Sequence, residues 1–414
     1  MKTDIIKNNK KKIKDLMLSI GATAVFNMVI QFAMYPFLER NLGKENYGVA
    51  LSILSIVAIL AGTIGTAANY SRMVTGANNG IACTNGDYNI ILLTLSTLCG
   101  LGGIFYLRYL GISSALAAVI FVILIILTAL RYYSDVEYKM NADFMRYMIF
   151  YVAISLGYLL GMLVYRLTGE WMLAFVAGEA LGVIFVIFQG TIYRKDVLSP
   201  SAKFVPVCKS MGFLLLSTLI DNLTLNADRL LLMIFAGGSA VSIYYTASLL
   251  GKVVAMLSVP INSIIISYLV KYDGSLTKKF WSVAAGGSIV LGTLAFAGCT
   301  IISPFLLNIL YPDLKNDIAP YIAPAILGQI FYFVSGVLLV ILLKFRGEKK
   351  QFLFNTFYMV EFMAIVIVGT WLGGLDGFVY TCLAANAIRF VAVIIWGFIP
   401  SKAERAALST QEEK

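Results

Sequence analysis

Apolar residues dominate this chain in long uninterrupted blocks, separated by short polar segments. Twelve blocks, at roughly 15–38, 46–69, 88–108, 113–131, 147–166, 171–192, 208–235, 240–268, 280–303, 320–344, 351–372 and 375–399, are each of helix-spanning length. A helix needs about 20 apolar residues to cross the hydrocarbon core of a bilayer. The connections are short, the longest being Tyr70–Asp87, Tyr132–Arg146 and Tyr193–Val207, which leaves no room for an extramembrane domain. The pattern predicts an all-α polytopic membrane protein with 12 transmembrane helices, grouped as a six-helix lobe over residues 1–195 and a second over 196–414. The lysine-rich start, Lys2 to Lys14, precedes an apolar run too long for a signal peptide, so the first span is expected to be retained.

Composition agrees: 59% of the 414 residues are hydrophobic and 13% charged, with a mean hydropathy of +0.84. A water-soluble globular chain is excluded. The net charge of +10 is explained by placement. With the N-terminus inside, the inward segments hold 24 Lys and Arg against five outside (Arg40, Lys44, Arg108, Arg166 and Lys315). That bias predicts cytoplasmic N and C termini and an even number of spans, and it makes nucleic acid an unneeded partner. The absence of histidine removes His-based metal sites, Ser-His-Asp triads and membrane acyltransferases built on an essential His. Five scattered cysteines, Cys83, Cys99, Cys208, Cys299 and Cys382, suggest neither a disulfide framework nor a zinc site. A transporter without cofactor or metal is expected, rather than an enzyme.

Polar groups inside the apolar blocks carry the functional signal, because a charge in hydrocarbon is costly unless it faces a bundle interior or a wet cavity. They concentrate between Met211 and Pro260. On a helical wheel Ser217, Asp221, Thr224 and Asp228 form one stripe of span seven, and Thr218, Asn222, Asn226 and Arg229 the next. Lys252 follows near the middle of span eight, one turn after Ser248, and Arg389 lies in span twelve, three residues after Asn386. Arg229, Lys252 and Arg389 are the candidate cations for a diphosphate. Glu179 in span six and Glu361 in span eleven are isolated acids in apolar surroundings. With Asp221 and Asp228 they are candidates for coupling to an H⁺ or Na⁺ gradient; a fixed structural pairing is the alternative for each. Thr23, Asn27, Gln31 and Tyr35 recur every four residues along span one. Together with Asn222, Asn226 and Tyr245 they offer neutral hydrogen-bonding and aromatic groups of the kind that bind sugar. Tyr244, Tyr332 and Phe333 are further stacking candidates. Gly157–Gly161 and Gly178–Gly182 are GxxxG pairs that permit close helix approach.

The two halves share a pattern. Asn27 precedes Tyr47 by 20 residues and Asn222 precedes Tyr244 by 22, each pair separated by a short glycine-containing turn and followed by Ala and Ser. Repeated halves around a central site are a common transporter plan. The segment Arg40-Asn-Leu-Gly-Lys-Glu-Asn-Tyr-Gly48, the Asp228–Tyr244 region with Asp and Arg ahead of a glycine turn and an Ile-Tyr-Tyr-x-Ala, and the twelve-span length together resemble the polysaccharide and O-antigen repeat-unit flippases of the multidrug/oligosaccharidyl-lipid/polysaccharide (MOP) exporter superfamily. The resemblance implies a MATE-like, V-shaped bundle of two lobes in a bacterial inner membrane, serving polysaccharide biosynthesis. Its implied activity is outward movement of an undecaprenyl-diphosphate-linked oligosaccharide by ion-coupled alternating access. Implied partners are the lipid-linked substrate, membrane lipids, and the glycan polymerase and glycosyltransferases of the same pathway. The chain departs from the peptidoglycan-precursor branch, whose first span typically carries an arginine. Two rivals stand beside this reading: a multidrug or cation antiporter of the same superfamily, and a membrane glycan polymerase or ligase, which would be expected to expose a larger outward loop.

Overall fold

The computed structural model describes residues 2–77, 84–270, 272 and 274–399. Cys83, Lys271 and the basic tail lie outside the described residues, as do the side chains of the lysines before Lys14. The chain is all-helical there and divides by contacts into two compact units, Met1–Leu230 and Leu231–Lys414. The expected lobes group the chain by span order; by contacts, unit 1 runs to Leu230 and takes in most of the seventh expected span.

Unit 1 contains α1 (Lys2–Val29), a π turn (Ile30–Met34), α2 (Tyr35–Ala77), α3 (Asn85–Tyr109), α4 (Ala115–Met140), α5 (Phe144–Thr168), α6 (Trp171–Gln189) and the first part of α7 (Phe204–Ala247). Helix α1 packs on α5, α2 on α4, and α6 on both α4 and α5. Residues able to satisfy exposed amides start these helices: Ser114 caps α4 at Ala117, Asp143 caps α5 at Arg146, and Thr84 with Asp87 form a capping box on α3. The α5–α6 seam is close because both GxxxG motifs lie in it. A Cβ on Gly157 would stand 2.9 Å from the Gly178 Cα, and one on Gly161 2.2 Å from the Ala174 carbonyl oxygen.

Unit 2 contains the rest of α7, α8 (Leu249–Met256), α9 (Ser258–Val270), α10 (Lys278–Leu310), the short α11 (Lys315–Ile318), α12 (Ile322–Arg346) and α13 (Glu348–Phe398). Helix α12 is its central element, packed against α8, α9, α10 and α13. Two basic residues at its end serve their neighbours: Lys344 donates to the Leu269 and Tyr272 carbonyls, and Arg346 to that of Ile399. Cations at helix C-termini satisfy carbonyls that have no intrahelical donor.

Among the described residues, nine helical stretches are long and apolar enough to cross a membrane. Three of them are interrupted by a glycine with positive φ: Gly43 in α2, Gly237 in α7 and Gly374 in α13. Gly43 (φ 74°, ψ 167°) and Gly237 (φ 81°, ψ 178°) share one backbone conformation, at matching places between the repeated Asn and Tyr positions. Helix α4 runs to Met140, nine residues past the expected end at residue 131. Arg131, counted with an inward loop in the sequence pattern, is therefore a buried helical residue, and removing it leaves the charge bias intact.

Candidate functional site

In unit 1 the polar stripe of α1 continues through the π turn. An α-helix drifts about 40° over four residues at 100° per residue, so groups repeating every four residues spiral away from one face. The wider turn at Ile30–Met34, lying between Asn27 and Tyr35, offsets that drift. Asn27 is half-buried and donates to the Thr23 carbonyl at 2.8 Å, while Gln31 and Tyr35 are buried. The Tyr35 ring meets Tyr47 with centroids 6.5 Å apart.

The two polar stripes of α7 meet different surroundings. Thr218 donates to the Thr63 carbonyl of α2 at 3.2 Å, and the Asn222 side-chain oxygen lies 2.9 Å from where a Cβ on Gly62 would stand. The amides of Asn222 and Asn226 donate back one turn, to Thr218 and Asn222, both at 2.8 Å. Thr218 and Asn222 thus lie on the face of α7 that packs on α2. On the other stripe Asp221 is exposed and forms no ion pair among the described residues, whereas Asp228 is buried beside Arg229, with Nε to Oδ1 at 3.7 Å.

Glu179 is held by a partner that sequence reasoning missed. Arg131 Nε donates to Glu179 Oε2 at 2.7 Å and the Tyr158 hydroxyl to Oε1 at 2.7 Å; the Arg131 and Glu179 side chains are 6% and 3% exposed. The guanidinium also lies over Tyr132 at 4.2 Å and Phe26 at 4.9 Å. One turn along α4, Asp135 accepts from Lys139 (2.8 Å) and from the Tyr147 and Tyr151 hydroxyls (3.1 Å each). The signal for this network was the Arg131, Asp135, Lys139 spacing of four residues, which places all three on one helix face.

Unit 2 holds two tyrosine-backed cations. Lys252 Nζ lies 4.1 Å from the Tyr245 ring centre and 5.6 Å from that of Tyr244, whose hydroxyl accepts from Gln329 at 3.4 Å. Arg389 is 6% exposed, with its guanidinium 4.3 Å from Tyr332 and 4.4 Å from Tyr358. Tyr358 donates to Asn386 at 2.9 Å, which fixes the ring under the guanidinium. Arg389 meets no carboxylate at ion-pair distance among the described residues, and its Nε and Nη1 are buried without a hydrogen-bond partner. Glu361, on the other half of the α13 hairpin, also has one buried oxygen without a partner and is not paired with Arg389. Phe333, like Tyr244 and Tyr245, is buried.

No protein-family model and no curated protein sequence matches the chain. Solved structures do match along nearly its whole length. The lipid II flippase MurJ in an inward closed conformation aligns with a TM-score of 0.67 and 12% identity, over 94% of this chain and 87% of that one. An inward-facing multidrug resistance MATE transporter of the MOP superfamily aligns at 0.64 and 13%, over 96% of each chain. A MATE in the straight conformation aligns at 0.61 and 14%, over 98% and 97%. The chain thus has the fold shared by the MATE transporters and MurJ, and is a multi-pass membrane protein.

Proposed function

We propose that this protein is a flippase that moves an undecaprenyl-diphosphate-linked oligosaccharide from the cytoplasmic to the outer leaflet of a bacterial inner membrane. Within that reading the helices interrupted at Gly43, Gly237 and Gly374 each make two spans, giving twelve, with both termini cytoplasmic. The observation that carries the proposal is Arg389: a guanidinium only 6% exposed, backed by two tyrosines and unmatched by any carboxylate among the described residues. A buried cation of this kind disfavours a cationic cargo and favours an anionic one. Arg229, Lys252 and Arg389 are assigned to the diphosphate. Asn27, Gln31 and Tyr35, with Asn226 and Tyr245, are assigned to the sugar; Asn222, packed against Gly62 of α2, is assigned to holding α7 in place. Transport is by alternating access coupled to H⁺ or Na⁺; Asp221 and Glu361 are the foremost coupling acids, since Glu179 is occupied by Arg131 and Asp228 lies beside Arg229.

The second reading, a multidrug antiporter, is favoured by the alignment with multidrug MATE transporters. A competition experiment separates the two. Proteoliposomes translocating a fluorescent undecaprenyl-diphosphate oligosaccharide are challenged with unlabelled undecaprenyl diphosphate or with tetraphenylphosphonium. Inhibition by the lipid diphosphate alone supports the flippase; translocation absent and the organic cation extruded would refute it.

A further inference from the structure

Helix α10 carries Pro304 in its interior. A proline has no N–H, so the carbonyl four residues back, that of Thr300, loses its usual donor. Ser282 and Thr293 on the same helix each donate to the carbonyl one turn back, at 2.9 Å, whereas the hydroxyls of Thr300 and Ser303, at the two ends of the turn that precedes Pro304, are buried with no hydrogen-bond partner. Of these two only Thr300 lines a cavity of about 250 Å³ between α10 and the segment from α11 into α12. Leu307, Ile318 and Ile322 form its apolar wall, and Asn308 and Lys315 belong to its lining. Lys315 is exposed, and neither Asp313 nor Asp317 forms an ion pair with it.

We infer that this cavity is a binding site for an anionic glycerophospholipid, distinct from the residues assigned to the transported substrate. Lys315 attracts the phosphate, and headgroup hydroxyls supply donors to Thr300. The first methylenes of a chain lie against Leu307, Ile318 and Ile322. The choice of occupant rests on charge complementarity: the cavity offers a cation and an unpartnered hydroxyl beside an apolar wall, a combination that neither a free anion nor a neutral lipid matches throughout. It does not depend on which substrate the protein carries.

The test is native mass spectrometry and thermal unfolding of the full-length protein in mild detergent, titrated with dioleoyl-phosphatidylglycerol or dioleoyl-phosphatidylcholine. The wild type is expected to retain one phosphatidylglycerol about tenfold more tightly than phosphatidylcholine, a preference of the size a charge-assisted contact supplies. Lys315→Ala should erase that preference. Thr300→Val, which keeps the side-chain shape, should weaken phosphatidylglycerol alone. Ala323→Trp, which fills the cavity, should remove the bound lipid with Lys315 intact. Equal retention of the two lipids by the wild type, or an unchanged preference in both Lys315→Ala and Thr300→Val, would overturn the inference.

Discussion

Arg131 Nε and Glu179 Oε2 meet at 2.7 Å inside unit 1, both side chains almost wholly buried. A charge taken out of water is costly, and removing one partner leaves the other unmatched. Arg131→Leu or Glu179→Leu is therefore expected to destabilise the protein by about 3–5 kcal/mol, whereas the double variant Arg131→Leu/Glu179→Leu should lose much less than the sum. Thermal unfolding across the four proteins measures the coupling. Additive losses would mean that the pair does not act as a unit.

The two glycine breaks make a different claim. Gly43 and Gly237 hold a positive φ with extended ψ, a region that residues with a Cβ avoid. At Gly43 nothing lies within 4 Å of an added Cβ, so the cost of substitution there is conformational rather than steric. Gly43→Ala and Gly237→Ala are each expected to cost about 1–3 kcal/mol, read as a drop in unfolding midpoint. A neutral Gly43→Ala would show that the break is not required by the backbone.

Close packing of α5 on α6 can be tested by volume. Gly161→Leu must displace the Ala174 backbone, which would stand 2.2 Å from the new Cβ, while Gly212 has nothing within 4 Å. The first substitution is expected to cost about 1–3 kcal/mol or more and the matched Gly212→Leu within about 0.5 kcal/mol, compared by unfolding in the same detergent.

Asp87 anchors the segment between α6 and α7. Fully buried, it accepts from the Thr84 amide at 3.1 Å, the Ser201 amide at 2.7 Å and the Ser201 hydroxyl at 2.6 Å. Replacing the carboxylate, Asp87→Ala, is expected to cost about 1.5–3 kcal/mol and to speed proteolysis within residues 190–203. An unchanged cleavage rate would place the anchor elsewhere, with Asn85 and Asn89 as the next candidates, since both donate to carbonyls of the same segment.

The helices were legible in the sequence because lipid demands long apolar runs, and the glycine pairs because close approach demands small residues. Partnerships between helices were not. Arg131 and Glu179 are 48 residues apart, and nothing in a linear pattern pairs a residue of one helix with a residue of another. The wheel separated two polar stripes on α7, but only packing on Gly62 and Thr63 distinguishes the stripe against α2 from the one bearing the exposed Asp221. The π turn was equally hidden: a strict four-residue period is a poor fit to an α-helix, and the misfit itself was the available clue. The tyrosines beneath Lys252 were readable from two-turn spacing, those beneath Arg389 were not, because Tyr332 sits on another helix.

The central claim is that cations within the helices recognise an anionic, lipid-linked cargo. Its most direct test is the initial rate at which proteoliposomes translocate fluorescent undecaprenyl-diphosphate oligosaccharide, measured for wild type, Arg229→Ala, Lys252→Ala and Arg389→Ala proteins that insert and unfold at the wild-type temperature. Loss of a charge-assisted contact is expected to slow each variant by about tenfold or more. Wild-type rates in all three variants would contradict the account.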